Sequence, residues 1–127
     1  MNNKRLGTAF ENEFCEILKD KGWWVHFMSP SSSGSQPCDI VASKDNEPML
    51  IDCKTSADKV FRISRLEDNQ ILAFEKFIKT GNKNCFIAVK YKEDIFLIPY
   101  RFLKNLEKID LEKDGNGYLY IKQNKDK

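Results

Sequence analysis

The sequence predicts an α/β domain whose elements run helix, strand, hairpin, helix, strand. Three observations carry this. Leu6, Phe10, Phe14, Ile17 and Leu18 form an apolar stripe at helical spacing near the start of the chain. Two short apolar runs, Pro37 to Ser43 and Met49 to Lys54, flank the polar turn Asp45-Asn46-Glu47-Pro48, which is the pattern of a β-hairpin. A second helical stripe, starting near Ser64, leads into two further apolar runs, Asn84 to Tyr91 and Ile95 to Pro99.

A chain of 127 residues with 41% hydrophobic and 12% aromatic residues suits one domain with a real core. The expected domain is 1–127, with its core at about 5–99, a C-terminal addition at 100–122 and a frayed tail at 123–127. There is no internal repeat. No run is long and apolar enough to span a bilayer, so no membrane partner is expected. Met1 to Arg5 is not followed by an apolar signal core, so a cytoplasmic location is expected. A net charge of +2 does not announce a nucleic-acid binder, and any basic surface must be local. The four cysteines, Cys15, Cys38, Cys53 and Cys85, form no Cys-x-x-Cys pair, and His26 is the one histidine. Buried free thiols in a reducing compartment are therefore expected, and a structural zinc site is not.

The first helix is expected from about Arg5 to Lys21, with Gly22 as its stop. Glu13, Glu16 and Asp20 fall on its solvent face, whereas Glu11 lies at the edge of the apolar stripe. Either Glu11 only favours the helix N-terminal half through the macrodipole, or it is a partly buried carboxylate that needs a partner. Trp23 to Met28 is apolar on both faces and is expected to be a central strand, with no role for His26. The polar tract Ser29 to Gln36 has two readings, a plain linker or a loop whose hydroxyls and N–H groups reach a phosphate.

The hairpin carries charges where buried strands should not. Side chains alternate faces along a strand, so Asp52 and Lys54 share one, and the hairpin brings Asp39 alongside. The bland reading is an exposed charged face with Asp39 in a turn. The alternative is a small desolvated patch of carboxylates and one ammonium, suited to a hard cation such as Mg²⁺. Beyond it, Lys54, Lys59, Arg62 and Arg65 are opposed only by Asp58, as a phosphate track or as a solvated loop.

Ser64 with Glu67 three residues on fits a capping box, and a helix should run from there to about Thr80, stopped by Gly81. Leu66, Phe74, Phe77 and Ile78 share its buried face. Gln70 falls inside that stripe, where it either satisfies a buried backbone group or faces the carboxylates. The strands at Asn84 to Tyr91 and Ile95 to Pro99 follow, then a short helix at Tyr100 to Leu106. Gly115-Asn116-Gly117 turns into an added edge strand, Tyr118 to Ile121.

Glu11, Asp39, Asp52 and Lys54, set in this order of elements, resemble the PD-(D/E)XK nuclease superfamily. Gly7-Thr8-Ala9-Phe10-Glu11, Gly22, the serine-rich loop and Asp39-Ile40-Val41-Ala42 are similar to the archaeal Hjc type of Holliday-junction resolvase. The stretch from Phe61 to Ile98, with Asn69-Gln70-Ile71 and Cys85 to Val89, is similar to the bacterial RecU type. The resemblance covers about Leu6 to Pro99. It implies a restriction-endonuclease-like fold, a central mixed β-sheet flanked by helices, with an α-β-β-β-α-β core plus C-terminal additions. It also implies a Mg²⁺-dependent, structure-selective DNA endonuclease, with Mn²⁺ as substitute, acting as a homodimer on four-way junctions.

By the same resemblance Asp39, Asp52 and the carbonyl of Cys53 bind metal and Glu11 completes the shell. Lys54 positions water and steadies the phosphate, Gln70 supports either, and Ser31, Ser32 and Ser33 touch the scissile strand. Three departures stand out: Cys38 is inserted between Pro37 and Asp39, Asp52 stands where many resolvases have Glu, and the tract between the serine loop and Asp39 is much shorter than in the RecU type. Two other functions are weighed beside this one, a nuclease for other branched or broken DNA and a DNA-binding module without catalysis. No Gly-x-x-x-x-Gly-Lys loop and no Ser/His/Asp set competes.

Overall fold

The computed structural model describes residues 3–28 and 38–121, with residues 3–8 in backbone only. The serine loop with Ser31, Ser32 and Ser33, the side chain of Leu6, Pro37 and the tail at 123–127 lie outside the described residues. The chain opens with α1 (Asn3–Asp20) and β1 (Trp24–Phe27). The hairpin β2 (Ile40–Lys44) and β3 (Glu47–Ser56), the short β4 (Val60–Arg62) and α2 (Asp68–Lys79) follow. Then come β5 (Cys85–Tyr91), β6 (Asp94–Pro99), α3 (Tyr100–Leu106), β7 (Lys108–Asp110) and β8 (Leu119–Ile121).

Six strands form one mixed sheet in the order β1-β2-β3-β5-β6-β8, and β4 pairs with β7 in a separate ribbon. The β3–β5 pair is parallel, joined by the α2 crossover, and the sheet's other pairs are antiparallel. Each face carries its own apolar layer. Phe10, Phe14 and Leu18 of α1 cover Ile40, Ile51, Cys53 and Ala88 on one side. Phe74, Tyr100 and Leu103 cover Ile87, Val89 and Ile98 on the other, with Phe61 and Ile109 of the small ribbon. Burying each such side chain contributes roughly 1.5–3 kcal/mol. Cys15, Cys38, Cys53 and Cys85 are buried free thiols within these layers.

The hairpin turn is tighter than expected. Asp45 and Asn46 both adopt left-handed backbone, with φ of 54° and 67°, so the turn has two central residues and Glu47 and Pro48 belong to β3. Pro48 is tolerated there because β5 begins only opposite Leu50, leaving no ladder bond for the missing N–H. Gly22 and Gly81, with φ of 93° and 97°, end α1 and α2.

Three expectations need correction. Strand β1 is an edge strand, not a central one: it stands at the end of the sheet order, paired with β2, and Trp24 and His26 are exposed while Val25 and Phe27 pack inward. The cap of α2 is not Ser64. Residues Ile63–Arg65 close a 3₁₀ turn, and Glu67 caps α2 with Gln70 as its reciprocal partner. The basic segment after β3 contains β4, a strand rather than only a loop.

Candidate active site

The site forms where β2 parts from β3. Their pairing runs from Lys44–Glu47 to Ile40–Ile51 and stops. At the next step the side chain of Asp39 takes the place of the missing strand: Cys53 N donates to Asp39 Oδ2 at 2.8 Å. A residue's N–H and C=O point to the same side of a strand, so the Cys53 carbonyl also faces this opening.

Asp52 lies beside it on β3 and is fully buried. Its Oδ1 accepts a hydrogen bond from Gln70 Nε2 at 2.6 Å. Its Oδ2 is 3.2 Å from Lys54 Nζ, an ion pair by distance. Even so, no donor among the described residues is aimed well enough to hydrogen-bond that oxygen. Burial, then the charge of Asp39, raises the Asp52 carboxyl well above its ordinary value, with Lys54 opposing. Glu11 of α1 is half-buried at the same opening. Burial and Asp39 raise its pKa from 4.5 to about 7, again against Lys54.

Gln70 realises both of its expected roles at once. Its Oε1 accepts the Glu67 N–H at 2.9 Å, capping α2, and stands 3.5 Å from Lys54 Nζ. With the carbonyl oxygen so used, the amide nitrogen must point to Asp52. Glu67 is therefore the residue that sequence reasoning missed: its cap fixes the orientation of the amide. The overlapping pattern Glu67-x-x-Gln70 was the available signal, obscured by Ser64-x-x-Glu67.

The structure thus brings Asp39, Asp52, Lys54, Gln70 and the Cys53 main chain together, with Glu11 as an electrostatic neighbour. Among the described residues no three acidic, histidine or cysteine side chains close into a metal cage as they stand. The donors nevertheless fit a hard divalent cation. They are oxygens, two are mutually repelling carboxylates, and one buried oxygen lacks a donor. Lys59, Arg62 and Arg65 are exposed beyond the end of β3. Arg65 is held by the Thr55 carbonyl at 3.0 Å and lies over the Phe61 ring at 5.4 Å.

A mixed sheet between helices, with this acid and lysine cluster at its split, is the restriction-endonuclease-like nuclease class. The structure of Archaeoglobus fulgidus Hjc, a Holliday junction resolvase from an archaeal hyperthermophile, has the same fold. It superposes with a TM-score of 0.68 at 23% identity, over 89% of this chain and 93% of that one. The crossover junction endodeoxyribonuclease Hjc of Methanocaldococcus jannaschii is 28% identical over 102 residues, 80% of this chain and 71% of that protein. The crossover junction endodeoxyribonuclease Hje of Saccharolobus islandicus is 29% identical over 94 residues, 72% of this chain and 67% of that protein. The family model for the archaeal Holliday junction resolvase (Hjc) matches residues 2–125, and the chain belongs to that family.

Proposed function

We propose that the chain hydrolyses phosphodiester bonds in four-way DNA junctions, using a Mg²⁺ or Mn²⁺ ion held at the β2–β3 split. The observation that carries this is Asp52, a fully buried carboxylate with one unsatisfied oxygen beside Asp39 and Lys54. Asp39, Asp52 and the Cys53 carbonyl would hold the ion, with Glu11 completing the set. Such an ion supplies positive charge against a phosphate and makes water more acidic. Lys54 does the rest from the protein side. Its ammonium lies between Asp52 and Gln70, and there it would orient an attacking water and steady charge on the phosphate. Gln70 keeps the Asp52 carboxylate in place, and Lys59, Arg62 and Arg65 offer cations to the flanking backbone.

Resolving a four-way junction takes two symmetric cuts, which supports a homodimer with one site per subunit. The buried free thiols support work in a reducing cell interior.

The test is cleavage of a synthetic four-way junction, a linear duplex and a single strand, with and without Mg²⁺. Junction nicking that requires the ion, and that is lost in Lys54→Ala and Asp39→Asn, is the expected result. Undiminished cutting by both variants would dismiss the site, and binding without cutting under Mg²⁺ and Mn²⁺ would dismiss the enzyme. Light scattering on the purified chain and its junction complex reads the stoichiometry.

A further inference from the structure

We infer that Trp24, backed by His26, is a stacking platform for the uncovered face of a base pair at a DNA branch point. Trp24 is 61% exposed, the most exposed of the large hydrophobic side chains among the described residues. Its ring lies against His26 at 6.3 Å between centroids and 11° between planes. The rings are stacked in near-parallel planes, so His26 backs the indole and holds its orientation.

The direction of that surface follows from the register. Val25 and Phe27 pack into the layer under α1, so Trp24 and His26 face the opposite side of the sheet. Leu50, Met28 and Val41 pack on that opposite side, and Leu50 shares its face with Asp52 and Lys54. His26 pairs with Val41, and Val41 with Leu50, which is two residues from Asp52. Two strand spacings and two residue rises put the His26 and Asp52 Cα atoms about 12 Å apart, and Trp24 about 16 Å from Asp52. That is about five base rises of duplex.

The occupant follows from chemistry. This inference rests on the reading above, that the chain acts on four-way DNA junctions. Within a continuous duplex every base pair is covered on both faces by its neighbours. At a branch point the pair that ends an arm exposes one face. An uncharged flat ring close to the site attracts such a face and offers nothing to an intact duplex. Stacking is also tolerant of sequence, since every base has a π-face. The platform thus contributes to structure selectivity, while the cations after β3 serve any duplex alike.

The test compares equilibrium binding of an immobile four-way junction and a linear duplex of the same sequence, in chelator so that neither is cut. In Trp24→Ala the preference for junction over duplex should shrink between about fivefold and about a hundredfold, the worth of one stacked base, and Trp24→Phe should restore most of it. Independently, a Trp23→Phe protein should show junction-dependent quenching of the remaining Trp24 fluorescence. An unchanged junction-to-duplex ratio in Trp24→Ala, with no quenching, overturns the inference. So does a changed oligomeric state with the preference intact, which would assign the ring to a second copy. If the unaltered protein shows no preference for the junction, it is the branched-DNA reading that fails, and the two failures are distinct.

Discussion

Replacing Asp52 with asparagine should stabilise the metal-free protein. In the native state the carboxylate is fully buried, faces Asp39, and leaves Oδ2 without a hydrogen bond. Asparagine keeps an oxygen to accept the Gln70 amide, removes the buried charge, and offers Asp39 a donor. Its lost attraction for Lys54 costs less, because Lys54 still reaches solvent. Removing one buried unsatisfied acceptor and its charge contributes about 1–3 kcal/mol. For a chain of this size that is roughly 4–11 °C in melting temperature.

The pH dependence fixes the sign. A carboxyl whose native pKa is raised binds its proton more tightly folded than unfolded. The wild type therefore loses stability as pH climbs from the ordinary aspartate value through the raised one. The amide of the Asp52→Asn variant does not titrate. The gap between variant and wild type should be small near about pH 5 and grow toward about pH 8. Melts followed by circular dichroism in chelator read both values. A variant that melts below wild type at the higher pH, or a gap that ignores pH, would refute the account of Asp52. Adding Mg²⁺ should raise the wild-type melt and leave the variant nearly unmoved.

Other outcomes follow from the same geometry. Gln70→Leu strands both the Glu67 N–H and Asp52 Oδ1, which should cost about 2–4 kcal/mol in a urea titration, whereas Leu72→Gln on the exposed side of α2 should be nearly silent. Glu11, raised to about 7, makes metal-free protein less stable as pH rises from 4.5 through 7; Glu11→Gln should flatten that slope in the same melts. A methyl group at Gly115 would sit 2.7 Å from Cε2 of the buried Phe96 ring, so Gly115→Ala should cost about 1–3 kcal/mol, read in the same urea titration.

The order of helices and strands could be read from the sequence because each rests on its own apolar period, as in Phe10, Phe14 and Leu18 or in Cys85 to Tyr91. Features that depend on partners distant in the chain could not. Val60-Phe61-Arg62 becomes a strand only by meeting Lys108-Ile109-Asp110, and three residues carry no legible alternation. Trp24 looks like core until the sheet order leaves β1 on the rim. The charged residues of the site were visible as misfits, Asp52 in an apolar run and Gln70 in an apolar stripe. Which way the Gln70 amide faces was not, since that depends on a cap three residues past the expected one.

One side chain closes the first turn of α2 and also holds the buried carboxylate. Local melting here also releases the buried carboxylate, and under the proposed function it would disarm the site. Amide exchange at Glu67 is predicted to report, residue by residue, how often the molecule is disarmed while the rest of its architecture stays intact.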